Sequence, residues 1–187
     1  GVELSQVLEF VEVYNTESKL IERLAKDACL FAYRDSIFKQ NAGKYFILNV
    51  GLCLSSTSEF SLAYGELASL VSLPNLSPTD VRAKVIAVRN AKLPNPDELP
   101  NAGSFFKNPI ISNSHYQALE TEFPQIISYP VENFQRKLPA AWLIEQCGWK
   151  GRECGPVGVH SKQALVLINS GGGSGNDVLG LANNINA

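Results

Sequence analysis

The stretch LPNPDELPNAG, residues 93 to 103, constrains what this chain can fold into more than any other part of it. Its three prolines lack a backbone N–H and hold φ near −65°, so neither a helix nor a central strand can run through it. The chain is therefore expected to divide here, into residues 1–92 and residues 93–187, with the proline-rich stretch as the connection. At 187 residues, 45% of them hydrophobic, there is enough apolar material for one medium-sized domain or two small ones.

Before the connection, Gln6 to Tyr14 alternates apolar and polar residues. Asn15-Thr16-Glu17-Ser18 supplies turn chemistry, and a second short strand is expected over Lys19 to Leu24, making a hairpin. YFILNVGLCL (45 to 54) reads as a buried or half-buried strand, whereas FAYRDSIFK (31 to 39) is too polar for a core strand. A helix start is well marked at Ser77: serine as N-cap, Pro78 at the first helical position, Asp80 at the third, then Val81, Val85 and Val88 on one face. It should end before Pro94.

After the connection, helices are expected over His115 to Phe123 and Pro139 to Cys147, the latter ending at Gly148. ALVLI (164 to 168) reads as a short buried strand. A last helix follows the glycine-rich turn 171–175, with Ser174 and Asp177 as a capping pair and Val178, Leu181, Ala182 and Ile185 as its apolar face. Strands and helices interleave without internal repeats, which gives a mixed α+β class.

Charge excludes some functions. A net charge of −2 with 18% charged residues provides no field for a polyanion, so nucleic acid is not an expected partner. No segment approaches the ~20 apolar residues of a membrane span, and the N-terminus lacks a basic-then-apolar leader, so the cytoplasm is the expected compartment. The four cysteines, Cys29, Cys53, Cys147 and Cys154, show no metal spacing; three sit in apolar segments and are expected to be buried, reduced thiols. His115 and His160 lack companion ligands, so no metal is expected. SGGGSGND precedes a helix but lacks both the Lys-Ser/Thr of a phosphate loop and dinucleotide-fingerprint spacing, and reads as a flexible turn. With no Met and an initial Gly, the chain is expected to begin inside a longer gene product or to follow processing.

Several segments, in order along the chain, are similar to the MurB family of UDP-N-acetylenolpyruvoylglucosamine reductases. Gly1-Val2-Glu3 resembles the tail of that family's flavin-domain motif, FAYRDSIFK its YR-S-FK signature, and AYGEL (63 to 67) the tyrosine-bearing loop of the type I enzymes. NAGSFFKNP (101 to 109) is the most specific match. KLPAAWLIEQCGWKG (137 to 151) and GVHSKQALVLIN (158 to 169) resemble the closing signature of the substrate domain. The resemblance implies the remainder of a MurB-type FAD-binding domain over residues 1–92, then an α/β substrate-binding domain over 93–187. It also implies FAD and NADPH as cofactors and UDP-N-acetylglucosamine enolpyruvate as substrate, in peptidoglycan synthesis. The oligomeric state stays open.

The chemistry so implied makes two demands on the protein. Hydride addition to an enolpyruvyl ether drives negative charge into the carboxylate, and a guanidinium, always charged and able to give two parallel donors, suits that charge. Arg34 matches the family residue in that role. On residue type alone it would be read as a surface partner of Asp35 or Glu66. The carbanionic carbon must then receive a proton from a positioned acid, and Ser104 matches the family's serine donor; without the motif it would be read as a turn serine. Tyr64, Lys92 and Asn108 match residues contacting the UDP diphosphate and adjoining sugar. Tyr33, Lys107 and Gln146 are weaker candidates from the same motifs, and Arg89 weaker still. The family's C-terminal catalytic glutamate, in a segment like LEPE, and most of its FAD contacts have no counterpart among these residues. The chain alone is thus expected to bind FAD weakly and to turn over negligibly. The alternative is a UDP-sugar binding module without chemistry. Either way, Arg34 and Ser104 are expected to converge on one pocket.

Overall fold

A computed structural model describes residues 2–57, 60–63 and 65–187. The chain divides into two compact units, Gly1–Val85 and Ile86–Ala187. The division therefore falls inside a helix, some residues ahead of the predicted boundary at 92/93.

The first unit begins with a short helix, α1 (Leu4–Val7), and continues into β1 (Leu8–Asn15) and β2 (Leu20–Ala25), which pair antiparallel as the predicted hairpin. Asn15 shapes the turn: its Oδ1 accepts the N–H groups of Glu17 and Ser18 at 3.0 and 3.4 Å, and its Nδ2 donates to Glu22 at 2.8 Å. After α2 (Ile37–Gln40), β3 (Tyr45–Leu52) pairs with the other side of β1, giving the order β2-β1-β3. Alternation on the central strand buries Val11 and Val13 against Cys29, and a register shift between Leu8 and Phe10 brings Leu8 into the same cluster, with Leu24, Phe31, Phe38 and Tyr45 packed around them. On the other face the Phe10 ring lies over Gly51, where a Cβ would overlap it. The Arg23 guanidinium sits 3.3 Å from the centroid of that ring.

The strand β3 differs from expectation. Phe46, Ile47, Leu48, Val50 and Leu52 are all exposed. This strand forms an edge of the sheet and, among the described residues, no layer packs over it, so a strongly apolar run is left uncovered.

Helix α3 (Pro78–Lys92) starts and stops as predicted. The Asp80 N–H donates to Ser77 Oγ at 3.3 Å and the Ser77 N–H to Asp80 Oδ2 at 3.0 Å, closing a capping pair.

In the second unit the connection is shorter than LPNPDELPNAG suggests. Its last residues already form a strand, β4 (Asn101–Ser104), because the proline constraint ends at Pro100. There follow β5 (Ile110–Ser112), α4 (Asn113–Glu122), β6 (Tyr129–Val131), β7 (Gln135–Lys137), α5 (Ala140–Gln146), β8 (Glu153–Cys154), β9 (Val157–Val159), β10 (Val166–Asn169) and α6 (Gly175–Asn186). Four strands make an antiparallel sheet in the order β4-β10-β9-β8, and three make a smaller one, β5-β7-β6. The main core gathers Val157, Val159, Leu167, Ile144, Leu181 and Ala182, so that α5 and α6 close over the four-stranded sheet. A second cluster of Tyr116, Ile126 and Leu138 lies under α4.

Two serines cap helices here. Ser112 Oγ accepts the His115 N–H at 3.2 Å, and Ser174 with Asp177 forms the predicted reciprocal pair at the start of α6. Of the cysteines only Cys29 is buried. Cys53 lies just past the edge strand and Cys147 at the end of α5, and both are exposed, contrary to the apolar setting of their segments. No helix among the described residues is long and apolar enough to cross a membrane.

Candidate functional site

In the first unit, Ala32 and Asp35 exchange backbone hydrogen bonds of 3.1 Å each, which throws Tyr33 and Arg34 onto the tip of a tight turn. Arg34 is held at φ +58°, the left-handed region, where a side chain costs roughly 1–2 kcal/mol. Its surroundings fix it there: the Lys39 ammonium donates to the Arg34 carbonyl at 2.9 Å, while Asp35 accepts from the Ser36 N–H at 2.8 Å and from Gln40 Nε2 at 3.1 Å. Strain of this kind persists where a turn is over-determined, often at a site that uses the side chain. Both Tyr33 and Arg34 are exposed and line a depression of about 460 Å³, whose other walls are Glu3, Ser5, Phe31 and Ala32.

In the second unit a wider cavity, about 900 Å³, opens beside β4. Ser104 is on its wall, with Gly103, Asn101 and Val166, and the charged lining comes from Arg89, Lys162 and Glu98. The local chain explains how Ser104 gets there. The Gly103 N–H donates to Asn101 Oδ1 at 3.0 Å, Gly103 turns at φ +62°, and the Phe105 N–H then pairs with the Leu165 carbonyl at 2.8 Å. Only glycine takes that turn without strain, so the NAGS tetrad is a bend that presents an exposed hydroxyl.

His160 borders the same cavity, although its sequence setting raises it only as a metal ligand without companions. Its Nδ1 is buried and meets no hydrogen-bond partner among the described residues, an omission costing about 1–3 kcal/mol. Burial, and next the Lys162 charge, push its imidazole below the ordinary value, so the ring is neutral at neutral pH.

The other sequence-derived residues divide. Arg89 joins Ser104 on the cavity wall, whereas Lys92, Lys107, Asn108 and Gln146 are not among the residues lining it. Lys92 and Gln146 are the last residues of α3 and α5. Asn108 serves the fold directly, since its Oδ1 accepts the N–H of Ala140, the first residue of α5, at 2.9 Å, standing in for the cap that Pro139 cannot supply. Tyr64 lies outside the described residues. Sequence reasoning does not reach His160, Lys162 and Glu98 as ligand contacts; the first two stand inside the GVHSKQALVLIN motif, which is the signal that could have found them.

The glycine-rich loop after β10 does not fit a flavin or nucleotide pyrophosphate. The N–H groups of Gly171 and Gly173 both donate to Asn169 Oδ1, and that of Ser174 to Asp177 Oδ2, so three donors that a phosphate would use are spent internally.

Residues 95–187 match the family model described as UDP-N-acetylenolpyruvoylglucosamine reductase, C-terminal domain. A protein of that reductase name from Alcanivorax borkumensis is 46% identical over 186 residues, which cover 97% of this chain and 53% of the relative. One from Bacteroides fragilis is 42% identical over 190 residues, covering 100% of this chain and 57% of the relative. The crystal structure of UDP-N-acetylenolpyruvylglucosamine reductase (MurB) from Thermus caldophilus superposes with a TM-score of 0.60 at 19% identity, over 97% of this chain and 49% of that one, a likeness of fold. The chain spans about half the length of the curated relatives it matches. Residues 95–187 thus belong to the C-terminal domain family of the UDP-N-acetylenolpyruvoylglucosamine reductases, and nearly the whole chain resembles those enzymes.

Proposed function

We propose that this chain supplies the charge-stabilising and proton-donating side chains of a flavin- and NADPH-dependent reductase, one that converts the enolpyruvyl ether of UDP-N-acetylglucosamine enolpyruvate to the lactyl ether of UDP-N-acetylmuramate in peptidoglycan synthesis. The observation that carries this reading is Ser104 on the wall of a cavity that also holds Arg89 and Lys162, inside the segment matching the reductase domain.

In this reading, the Arg34 guanidinium meets the substrate carboxylate. Its two parallel N–H donors stabilise the charge that arrives there when the double bond is reduced. The Ser104 hydroxyl gives its proton to the α-carbon, an easy transfer in spite of the weak acidity of an alcohol because the carbanion is far more basic. Arg34 and Ser104 belong to different units, so the reading requires them to converge on one substrate. Lys92, Asn108 and Tyr64 hold the diphosphate and adjoining sugar, with Tyr33, Lys107 and Gln146 at the margins. The cytoplasm, where the nucleotide sugar is available, is the proposed compartment.

The 187 residues taken alone should bind the nucleotide sugar and turn over negligibly. Stoichiometric flavin in the purified chain, with substrate-dependent NADPH oxidation, would refute that. The chemical assignment is tested in the whole reductase by Ser104→Ala. Flavin reduction by NADPH should proceed at the normal rate, while reoxidation by the enolpyruvyl substrate slows by about 10²-fold or more. Equal losses in both half-reactions would remove Ser104 from the protonation step.

A further inference from the structure

The turn between β9 and β10, His160-Ser161-Lys162-Gln163, plays no part in the chemistry proposed for Arg34 and Ser104, yet two of its side chains reach the Ser104 cavity. Strand register explains how. Val166 pairs with Ser104 on one side, and on the other its carbonyl accepts the His160 N–H at 2.9 Å. Ser104, Val166 and His160 thus form one row across the sheet, and side chains in such a row share a face. Two strand spacings separate the first from the last, ~10 Å between backbones, a gap that a bound ligand could span.

The imidazole is poised for such a ligand. It keeps one ring nitrogen buried and unpartnered, while the residue as a whole is only half-buried against the cavity. A half-turn of the ring about χ2 exchanges Nδ1 with Cδ2 and Nε2 with Cε1, so that a carbon takes the buried position and Nδ1 is freed from it; pairing of that nitrogen with a ligand and relief of its orphaned state become one event. Lys162 lies close enough for its charge to bear on the imidazole. The cavity then offers two cations, Arg89 and Lys162, against one carboxylate, Glu98. A group with several anionic oxygens matches that set: the ammonium answers charge and the imidazole adds a directional N–H.

We propose that His160 and Lys162 form a phosphoryl-binding contact on the wall of the Ser104 cavity, additional to Tyr64, Lys92 and Asn108. This rests on the reading of the cavity as a nucleotide-sugar pocket, and the test separates the two ideas. Long-range ¹H–¹⁵N spectra of the full chain follow the ring nitrogens of both histidines while UDP-N-acetylglucosamine, and separately inorganic pyrophosphate, are added. His115, exposed on α4, is the internal reference. The His160 ring signals should move saturably, with the dissociation constant found by calorimetry, and those of His115 should stay. His160→Gln and Lys162→Ala should each weaken UDP-N-acetylglucosamine and pyrophosphate by roughly tenfold, as expected for a hydrogen bond to a charged group, and leave uridine affinity unchanged. Lys162 is exposed, so its variant keeps the test decisive if the His160 variant misfolds. Nucleotide-sugar binding by the native chain with still His160 signals and unaltered variant affinities overturns this contact alone. Absence of nucleotide-sugar binding by the native chain overturns the contact and the pocket together.

Discussion

Asn108 is claimed by two roles that a single pair of substitutions can pull apart. The family resemblance makes it a substrate contact, and the fold makes it the cap of α5. In the cap, Oδ1 accepts from the Ala140 N–H at 2.9 Å, and Ala140 is only 6% exposed, so solvent cannot replace the bond. Asn108→Ala leaves a buried donor unpaired, at a cost of about 1–2 kcal/mol. For a unit of roughly a hundred residues that lowers Tm by about 5–10 °C. Asn108→Asp keeps the oxygen and places a negative charge at the N-terminal end of a helix, which is favourable; it should melt within about 0.5 kcal/mol of the native chain. Both tryptophans, Trp142 on α5 and Trp149 just beyond it, lie in the second unit, so denaturant titration followed by tryptophan fluorescence reports on this unit specifically. If alanine melts like the native chain, or aspartate falls as far as alanine, the oxygen does not carry the cap. Binding then reads the other role. Aspartate has lost the amide donor and confronts a diphosphate with a like charge, so UDP-N-acetylglucosamine affinity should fall at least about tenfold in a chain that is still fully folded. Unchanged affinity would confine Asn108 to the cap.

Further outcomes follow from the same geometry. Gly173→Ala would bring a Cβ to 2.7 Å from Val157 Cγ1 and 3.0 Å from Asn169 Oδ1, and should cost about 1–3 kcal/mol in urea melts. Arg34→Gly removes the left-handed strain, so circular dichroism should show a chain as stable as the native one or up to about 1 kcal/mol more so, while the whole reductase loses turnover. Hydrogen bonds from the side chains and backbones of Ser77 and Ser174 hold the Asp80 and Asp177 carboxyls below the ordinary 3.8. Their stabilisation is present above that value and is lost as pH falls through the lowered ones; α3 and α6 should fray there by amide exchange, and Ser174→Ala, which removes the hydroxyl donor and keeps the backbone one, should weaken the effect in α6. The half-buried His160 works in the same direction. The unfolded imidazole takes up a proton near 6.5 that the native ring refuses, so the stability it contributes is intact above 6.5 and declines as pH drops toward the lowered native value.

Helices are legible in this sequence wherever a cap announces them. Ser77-Pro78 with Asp80, and Ser174 with Asp177, fix two helices at their first residues because the caps are local interactions between a side chain and a backbone three positions away. Strands are legible when they alternate or run long, as in the hairpin and β3, or when they form a compact apolar run, as ALVLI does for β10; the other strands of two to four residues are not. Elements such as β8 and β9, joined across Gly155, exist because the sheet and α6 provide partners that no window of sequence contains. The exposure of β3 is illegible for the reverse reason. A run of apolar residues records affinity for a covering layer, and whether the described residues supply that layer is a property of the fold alone.

The site divides along the same line. Ser104 is marked by its motif, and the bend that presents it follows from Asn101 and Gly103, two residues of the same tetrad. Arg34 is marked too, but its left-handed conformation follows from the Ala32–Asp35 exchange and the Lys39 bond, contacts of one turn that no residue type implies singly. His160 can be seen only through register: its kinship with Ser104 passes through Val166, across two strand pairings between segments far apart in the chain. A motif records which side chains a site keeps, whereas a sheet decides which of them share a face. An isolated histidine in sequence therefore says little, and the same histidine with an orphaned nitrogen, in one row with an exposed serine and beside a lysine, says which atom to watch when a ligand enters.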